Sequence, residues 1–556
     1  MPTDNEIARA AITRPITEIA ENLGLGPEDL RVYGSDVAKV NPAVLQRPRS
    51  RTKPSRLVLV SAITPTKAGE GKTTTSIGLA QGLMALGESA CLALREPSLG
   101  PAFGMKGGAT GGGRAQIVPR ERINLHLTGD FHAITSAHNL LAAILDNHIY
   151  FGNHLRIDPR RILWRRVMDM NDRALRNTIV GLGGHKQGVP RETGFDITAA
   201  SEVMAMLCLA ENENDMRARL DRILVAYGYE GEPITAEKLS ASGAMLALLR
   251  DALWPNLVQT LEGGPAFVHG GPFANIAHGC NSVIATRMAM HVADWAITEA
   301  GFGFDLGAEK FFDIKCRKAK LDTAAVVLVA TVRALKLHGG AKSRTLARPD
   351  PGCVAAGLPN LEKHIENIHQ FGENTVVALN QFSDDTPEEM NIVRKRCEEL
   401  GVPFAVSNHY AQGGEGAKEL ARVVLQRCEI QSEPFKPLYE LEDTIRDKIL
   451  AVTKKMYGAR DVAFTADAMR DLKDARRLNY NKLPICIAKT HASLSDDPKR
   501  RGRPSDFVVT VRGLQIDAGA GFLVVLTGDI LRMPGLPRKP ISETVDLRDG
   551  EIVGLT

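Results

Sequence analysis

Apolar residues in this chain fall first into short solid runs and not into alternating ones. Leu57-Val58-Leu59-Val60-Ser61-Ala62-Ile63 is apolar on both faces and partly β-branched, the pattern of a strand buried inside a parallel sheet. A glycine-bearing turn leads from it into residues 73–86, where apolar positions recur at helical spacing until Gly87. Residues 90–94 supply a second strand, so 57–94 reads as one strand–helix–strand unit. Similar runs at 326–329 and 375–379, each beside helical patterns, predict an α/β fold with a mostly parallel sheet flanked by helices. Residues 16–40 read as a short helical lead broken by glycines, 41–56 as a Pro- and Arg-rich connector, 133–145 as a helix, and 264–272 and 348–359 as loops. After Ala417 a helical, charged stretch runs to about Leu478, and the remainder turns to Val/Thr/Gly-rich segments such as 507–511 and 522–526. Boundaries are expected near 360 and 475, giving a large α/β domain at 1–360 and two smaller α/β domains at 361–475 and 476–556.

Length and composition narrow the function classes. The 556 residues exceed a single compact unit of roughly 150, and 44% hydrophobic with 24% charged residues excludes wholesale disorder. The excess of 69 basic over 65 acidic residues, +4, is mild and unclustered, so no nucleic-acid partner is expected. The run Lys499-Arg500-Arg501-Gly502-Arg503 reads as a solvated loop. Residues 323–332, between Asp322 and Arg333, are among the longest uncharged apolar runs and fall short of the ~20 residues of a bilayer span, so no membrane association is expected. Asp4 and Glu6 precede any apolar run, against a secretory leader. Eight cysteines without a C-x-x-C pair argue against a zinc module or disulfide scaffold and for a reduced, cytoplasmic setting. The 51 glycines and 29 prolines against 17 Phe, 8 Tyr and 3 Trp predict backbone that approaches ligands closely in several places.

The first strand ends in Thr64-Pro65-Thr66-Lys67-Ala68-Gly69-Glu70-Gly71-Lys72-Thr73-Thr74. Strand, small-residue turn, Gly-Lys-Thr and helix is the arrangement in which backbone N–H groups and a helix N-terminus wrap a triphosphate. Lys72 would reach the β/γ-phosphates and the Thr73 hydroxyl would sit on Mg²⁺. The first glycine of the common G-x-x-x-x-G-K-[ST] pattern is Thr66 here. No Asn-Lys-x-Asp guanine reader is present, which favours ATP. The second strand runs into Arg95-Glu96-Pro97, where α/β sheets bind ligands; an Arg there can clamp a carboxylate or acyl phosphate, or simply pair with Glu96. Residues 104–119 follow, with six glycines in ten positions, expected to be mobile or to cover a ligand. His126 and Asp130 supply titratable groups in the next polar turn.

These phrases, with Val329-Ala330-Thr331-Val332-Arg333-Ala334-Leu335-Lys336-Leu337-His338-Gly339-Gly340 and the glycine-rich segments at 269–279, 301–310 and 519–522, resemble the formate–tetrahydrofolate ligase family over nearly the whole chain. The resemblance implies ATP-dependent ligation of formate to N10 of tetrahydrofolate through formyl phosphate, with release of ADP and phosphate. It assigns residues 65–73 (Pro65, Thr66, Lys67, Ala68, Gly69, Glu70, Gly71, Lys72 and Thr73) to ATP, Thr73 to Mg²⁺, and Arg95 and Glu96 to formate or formyl phosphate. His126 and Asp130 become candidates for polar contacts in the active site. It also implies a pterin held between two rings, Phe382 and Tyr410, the second usually a Trp, and a homotetramer activated by a monovalent cation, K⁺ or NH₄⁺. Residues 1–360 would then carry ATP and formyl phosphate and 361–475 the folate. Lys67-Ala68-Gly69-Glu70-Gly71-Lys72-Thr73 also approximates the loop of partitioning and nitrogenase-iron ATPases. That alternative leaves the glycine segment and the C-terminal third unexplained.

Overall fold

The computed structural model describes residues 2–49, 51–67, 69–104, 109–430, 433–528 and 530–555. At its centre seven strands run parallel, in spatial order Pro265–Val268, Ala90–Leu94, Trp295–Glu299, Arg56–Ala62, Ala325–Ala330, Thr375–Asn380 and Phe404–Ser407. Antiparallel strands at Leu30–Tyr33, Val37–Val40, Ala115–Val118 and Asn256–Thr260 extend the edge beside Pro265–Val268. The solid apolar runs have the expected cause, since both faces are covered. Leu57 and Leu59 pack towards the helices Val283–Val292 and Pro351–Gln370, while Val58 and Val60 pack towards Lys72–Ala85 and Lys418–Arg427. The α/β expectation is met. The strands at Thr375–Asn380 and Phe404–Ser407, both beyond residue 360, hydrogen-bond into this same sheet.

Smaller sheets flank the centre. Ile157–Ile162, Leu224–Gly228 and Pro233–Thr235 form one, and Asp461–Phe464, Val508–Asp517, Phe522–Thr527 and Ile485–Ala488 form another. Among the described residues, no helix is long and apolar enough to cross a membrane.

Several local expectations were overturned. Only Ile16–Asn22 of the lead is α-helical, because Leu30–Tyr33 and Val37–Val40 pair as a hairpin on the main sheet. The charged stretch after Ala417 is interrupted by the strand Asp461–Phe464. Residues 264–272 contain the strand Pro265–Val268. The segment weighted as loop for its Gly and Pro is largely the helix Pro351–Gln370, with Pro359 inside it. Its start carries helical signals: Pro351 is the first helical residue, and the Asp350 side chain accepts from Cys353 N at 2.9 Å. Its glycine serves packing. A Cβ on Gly357 would lie 2.0 Å from Leu335 O, so only glycine lets this helix approach Val332–His338 so closely. Gly357→Ala is expected to destabilise the protein by about 1–3 kcal/mol, read as a lowered denaturant midpoint; an unchanged midpoint would show that the helices can separate at no cost.

Candidate active site

All seven parallel strands present their carboxyl ends to one edge, and the polar residues singled out in the sequence cluster there. Strand Arg56–Ala62 runs into the loop of Pro65, Thr66, Lys67, Gly69, Glu70 and Gly71, and then into helix Lys72–Ala85. Ala68 lies outside the described residues. The Glu70 side chain is buried and pins the loop, accepting from Thr66 N at 2.6 Å and from the Thr331 hydroxyl. Glu70 O accepts from Asn380 Nδ2 at 3.1 Å. Gly71 has φ 76°, a left-handed backbone that favours glycine, and a Cβ on it would lie 2.4 Å from that same Nδ2 and displace the Asn380 amide. No side chain caps the helix at Gly71, which leaves its first N–H groups directed at the loop. Lys67 is exposed, and Lys72, like Thr73, is half-buried at the helix start.

Neither partner of Thr73 and Arg95 was anticipated from sequence. Both converge on Glu299, the last residue of the neighbouring strand: Thr73 Oγ1 donates to Glu299 Oε2 at 2.7 Å, and Arg95 Nη2 lies 3.3 Å from Glu299 Oε1. Pairing of Arg95 with Glu96, the simpler expectation, does not occur. The available signal was a carboxylate ending the apolar run Trp295-Ala296-Ile297-Thr298-Glu299. Arg95 Nε is buried and has no hydrogen-bond partner among the described residues, and the same holds for Glu96 Oε2. Arg95 thus keeps an unused donor, and a guanidinium N–H is a group that a small carboxylate or acyl phosphate can engage.

Glu96 is pushed well above the usual carboxylate range by burial first and then by the nearby carboxylates of Asp130 and Asp169, with Lys39 opposing. A neutral acid at this edge can donate a hydrogen bond where an ionised one cannot. Asp130 is itself engaged: Lys39 Nζ lies 2.7 Å from its Oδ1 with both side chains buried, and Asn256 Nδ2 donates to its Oδ2 at 2.8 Å. His126 is exposed near Asp169, whose carboxylate accepts from the Ser98 hydroxyl and, at 2.9 Å, from Leu99 N.

The two rings follow adjacent strands, Phe382 on a loop and Tyr410 in the one-turn helix His409–Gln412. Phe382, half-buried, follows Thr375–Asn380 and has the Arg333 guanidinium 4.4 Å from its centroid; Arg333 is held in turn by Asp384 at 2.6 Å. Tyr410 follows Phe404–Ser407 and is 49% exposed. Its neighbour His409 is buried against Gly78 of the loop helix, with Nδ1 2.8 Å from Ser407 Oγ. The glycine segment meets Tyr410 from the other side. Residues 105–108 lie outside the described residues; beyond them Gly111–Gly112 and Ala115–Val118 pair as an antiparallel hairpin. A Cβ on Gly111 would lie 2.2 Å from Ala115 O, and one on Gly113 2.0 Å from Tyr410 O, so these glycines answer to close packing.

Fold and site together define an α/β enzyme whose polar machinery lines the carboxyl edge of a parallel sheet. The model of the formate–tetrahydrofolate ligase family matches residues 2–556, and the chain belongs to that family. It is a carbon–nitrogen ligase acting on formate and tetrahydrofolate with ATP.

Burial pushes the Asp169 carboxyl up to about 6, from ~3.9 in an unfolded chain. The folded state therefore holds this proton more tightly, and the stability that Asp169 contributes is fully present below about pH 4 and lost as pH rises through about 6. Asp169→Asn is expected to flatten the decline of stability across that window, measured as denaturant midpoints against pH; an identical slope in the variant would remove Asp169 as its source.

Proposed function

We propose that formate is first phosphorylated by ATP at the loop of residues 65–73 and that tetrahydrofolate N10 then displaces phosphate from formyl phosphate, giving 10-formyltetrahydrofolate, ADP and phosphate. The chemistry requires activation, because formate at neutral pH is an anion and a poor acyl electrophile. The observation that carries the reading is the convergence of Thr73 and Arg95 on Glu299, which links the helix start after the loop to a cationic side chain with an unused donor. Lys72 meets the transferring phosphoryl group, Arg95 orients formate and then formyl phosphate, and Glu96, protonated, donates a hydrogen bond to one of their oxygens. Asp130 and Lys39 hold the surroundings of Glu96, and His126 lies at the rim. The uncapped helix start and the two positive-φ glycines, Gly69 and Gly71, fit a polyphosphate. Thr73 would hold Mg²⁺, with Glu299 positioning its hydroxyl; the ion supplies neutralisation of charge on the phosphate oxygens.

Phe382 and Tyr410 supply the faces for the pterin, and Arg333 stiffens the Phe382 side. In this reading residues 1–360 handle ATP and formyl phosphate, 361–475 contribute the folate side, and 476–556 form a small C-terminal domain. A homotetramer, activation by K⁺ or NH₄⁺ and a cytoplasmic location belong to the same proposal and rest on family resemblance.

The test supplies ATP, Mg²⁺, formate and tetrahydrofolate, omits each in turn, and follows ADP and formylated folate. ADP release that requires both formate and folate is expected; release at the full rate without formate would overturn formate activation and favour a switch ATPase. Arg95→Ala is expected to lose about 10²–10³-fold in kcat while retaining ATP binding. Phe382→Ala is expected to raise the folate KM by about tenfold, and wild-type folate kinetics in that variant would remove Phe382 from the folate site.

A further inference from the structure

Helix Asp4–Arg9 has a capping box of its own: Glu6 N donates to Thr3 Oγ1 at 3.3 Å and Thr3 N to Glu6 Oε2 at 2.6 Å. That box orients Asp4, at the first helical position, towards the glycine hairpin. Asp4 Oδ1 accepts two bonds there, from Gly113 N at 2.8 Å and from the Tyr410 hydroxyl at 2.9 Å. Its Oδ2 lies 3.7 Å from the buried Arg120 guanidinium, which donates to Gly111 O at 3.0 Å and so closes the same hairpin. The other end of Tyr410 is tied as well, since Arg114 N donates to Tyr410 O at 2.8 Å.

A ring 49% exposed would ordinarily sample several rotamers. Tyr410 is instead held at its backbone by the hairpin and at its phenol by a carboxylate more than four hundred residues away in the chain. We propose that Asp4 is a positioning residue for folate: through the Tyr410 hydroxyl it holds that ring at the angle at which the pterin stacks, so that the ordering of the side chain is completed before folate arrives. The inference rests on the reading that Tyr410 lines the folate site. Its physical basis is preorganisation, since a ring already fixed loses less freedom on binding.

The test measures folate Kd by titration calorimetry and the steady-state constants in Asp4→Ala, Tyr410→Phe and the double variant. Tyr410→Phe keeps the ring and removes only the hydroxyl, and Asp4→Ala leaves a good helix former at an exposed helix start. Each single variant is expected to weaken folate roughly three- to tenfold, and in Asp4→Ala kcat and the KM values for ATP and formate stay nearly unchanged. The double variant is expected to be no weaker than Asp4→Ala, because the bond that Tyr410→Phe removes is already lost in Asp4→Ala. Wild-type folate affinity in Tyr410→Phe, or single effects that multiply in the double variant, would overturn the proposal. Tyr410→Ala separates the two readings. If it binds folate like the wild type, the assignment of Tyr410 to the folate site fails; if it binds weakly while Tyr410→Phe does not, only the role of Asp4 fails.

Discussion

Seven strands in parallel register impose the constraint on which the rest depends. Parallel pairing sends every chain end to the same edge, so the loops after Ala62, Leu94, Glu299, Ala330, Asn380 and Ser407 must share one rim. The Trp295–Glu299 strand lies between Ala90–Leu94 and Arg56–Ala62, which is why one carboxylate, Glu299, can reach both Arg95 and Thr73. Likewise Thr331 and Asn380, ending or following neighbouring strands, reach Glu70 and brace the loop from outside it.

Buried charge at this rim is handled in pairs. Lys39 neutralises Asp130, and Arg95 faces Glu299, as buried ions require. Glu96 stands apart: burial first, and then the carboxylates of Asp130 and Asp169, push it well above the usual carboxylate range. The unused Arg95 Nε and Glu96 Oε2 are the groups such an accounting leaves over. Unsatisfied buried polar atoms are costly unless a ligand completes them, which makes this place a reasonable seat for the reacting carboxylate in the proposed reaction.

Much of the fold was legible because its strongest signals are local. Solid apolar runs marked buried parallel strands, and the Gly-Lys-Thr junction marked a strand-to-helix turn at 64–74. Glycine was the less faithful guide. At Gly113 and Gly357 it reports a neighbour's backbone approaching too closely for a Cβ. The identity of that neighbour, Tyr410 O in one case and Leu335 O in the other, is set by long-range packing and leaves no mark nearby in the chain.

The sequence alone determined the α/β class, the phosphate-loop candidate, the family resemblance, and the residue types at the rim, because strand burial, turn chemistry and short motifs are each encoded within a few neighbouring residues. Tertiary structure alone decided the partners: Glu299 for Thr73 and Arg95, Lys39 for Asp130, Arg333 for Phe382, and Asp4 for Tyr410. Hydrogen bonds and ion pairs act over about 3 Å, whereas these partners stand tens to hundreds of residues apart, and only the folded sheet brings them within that range.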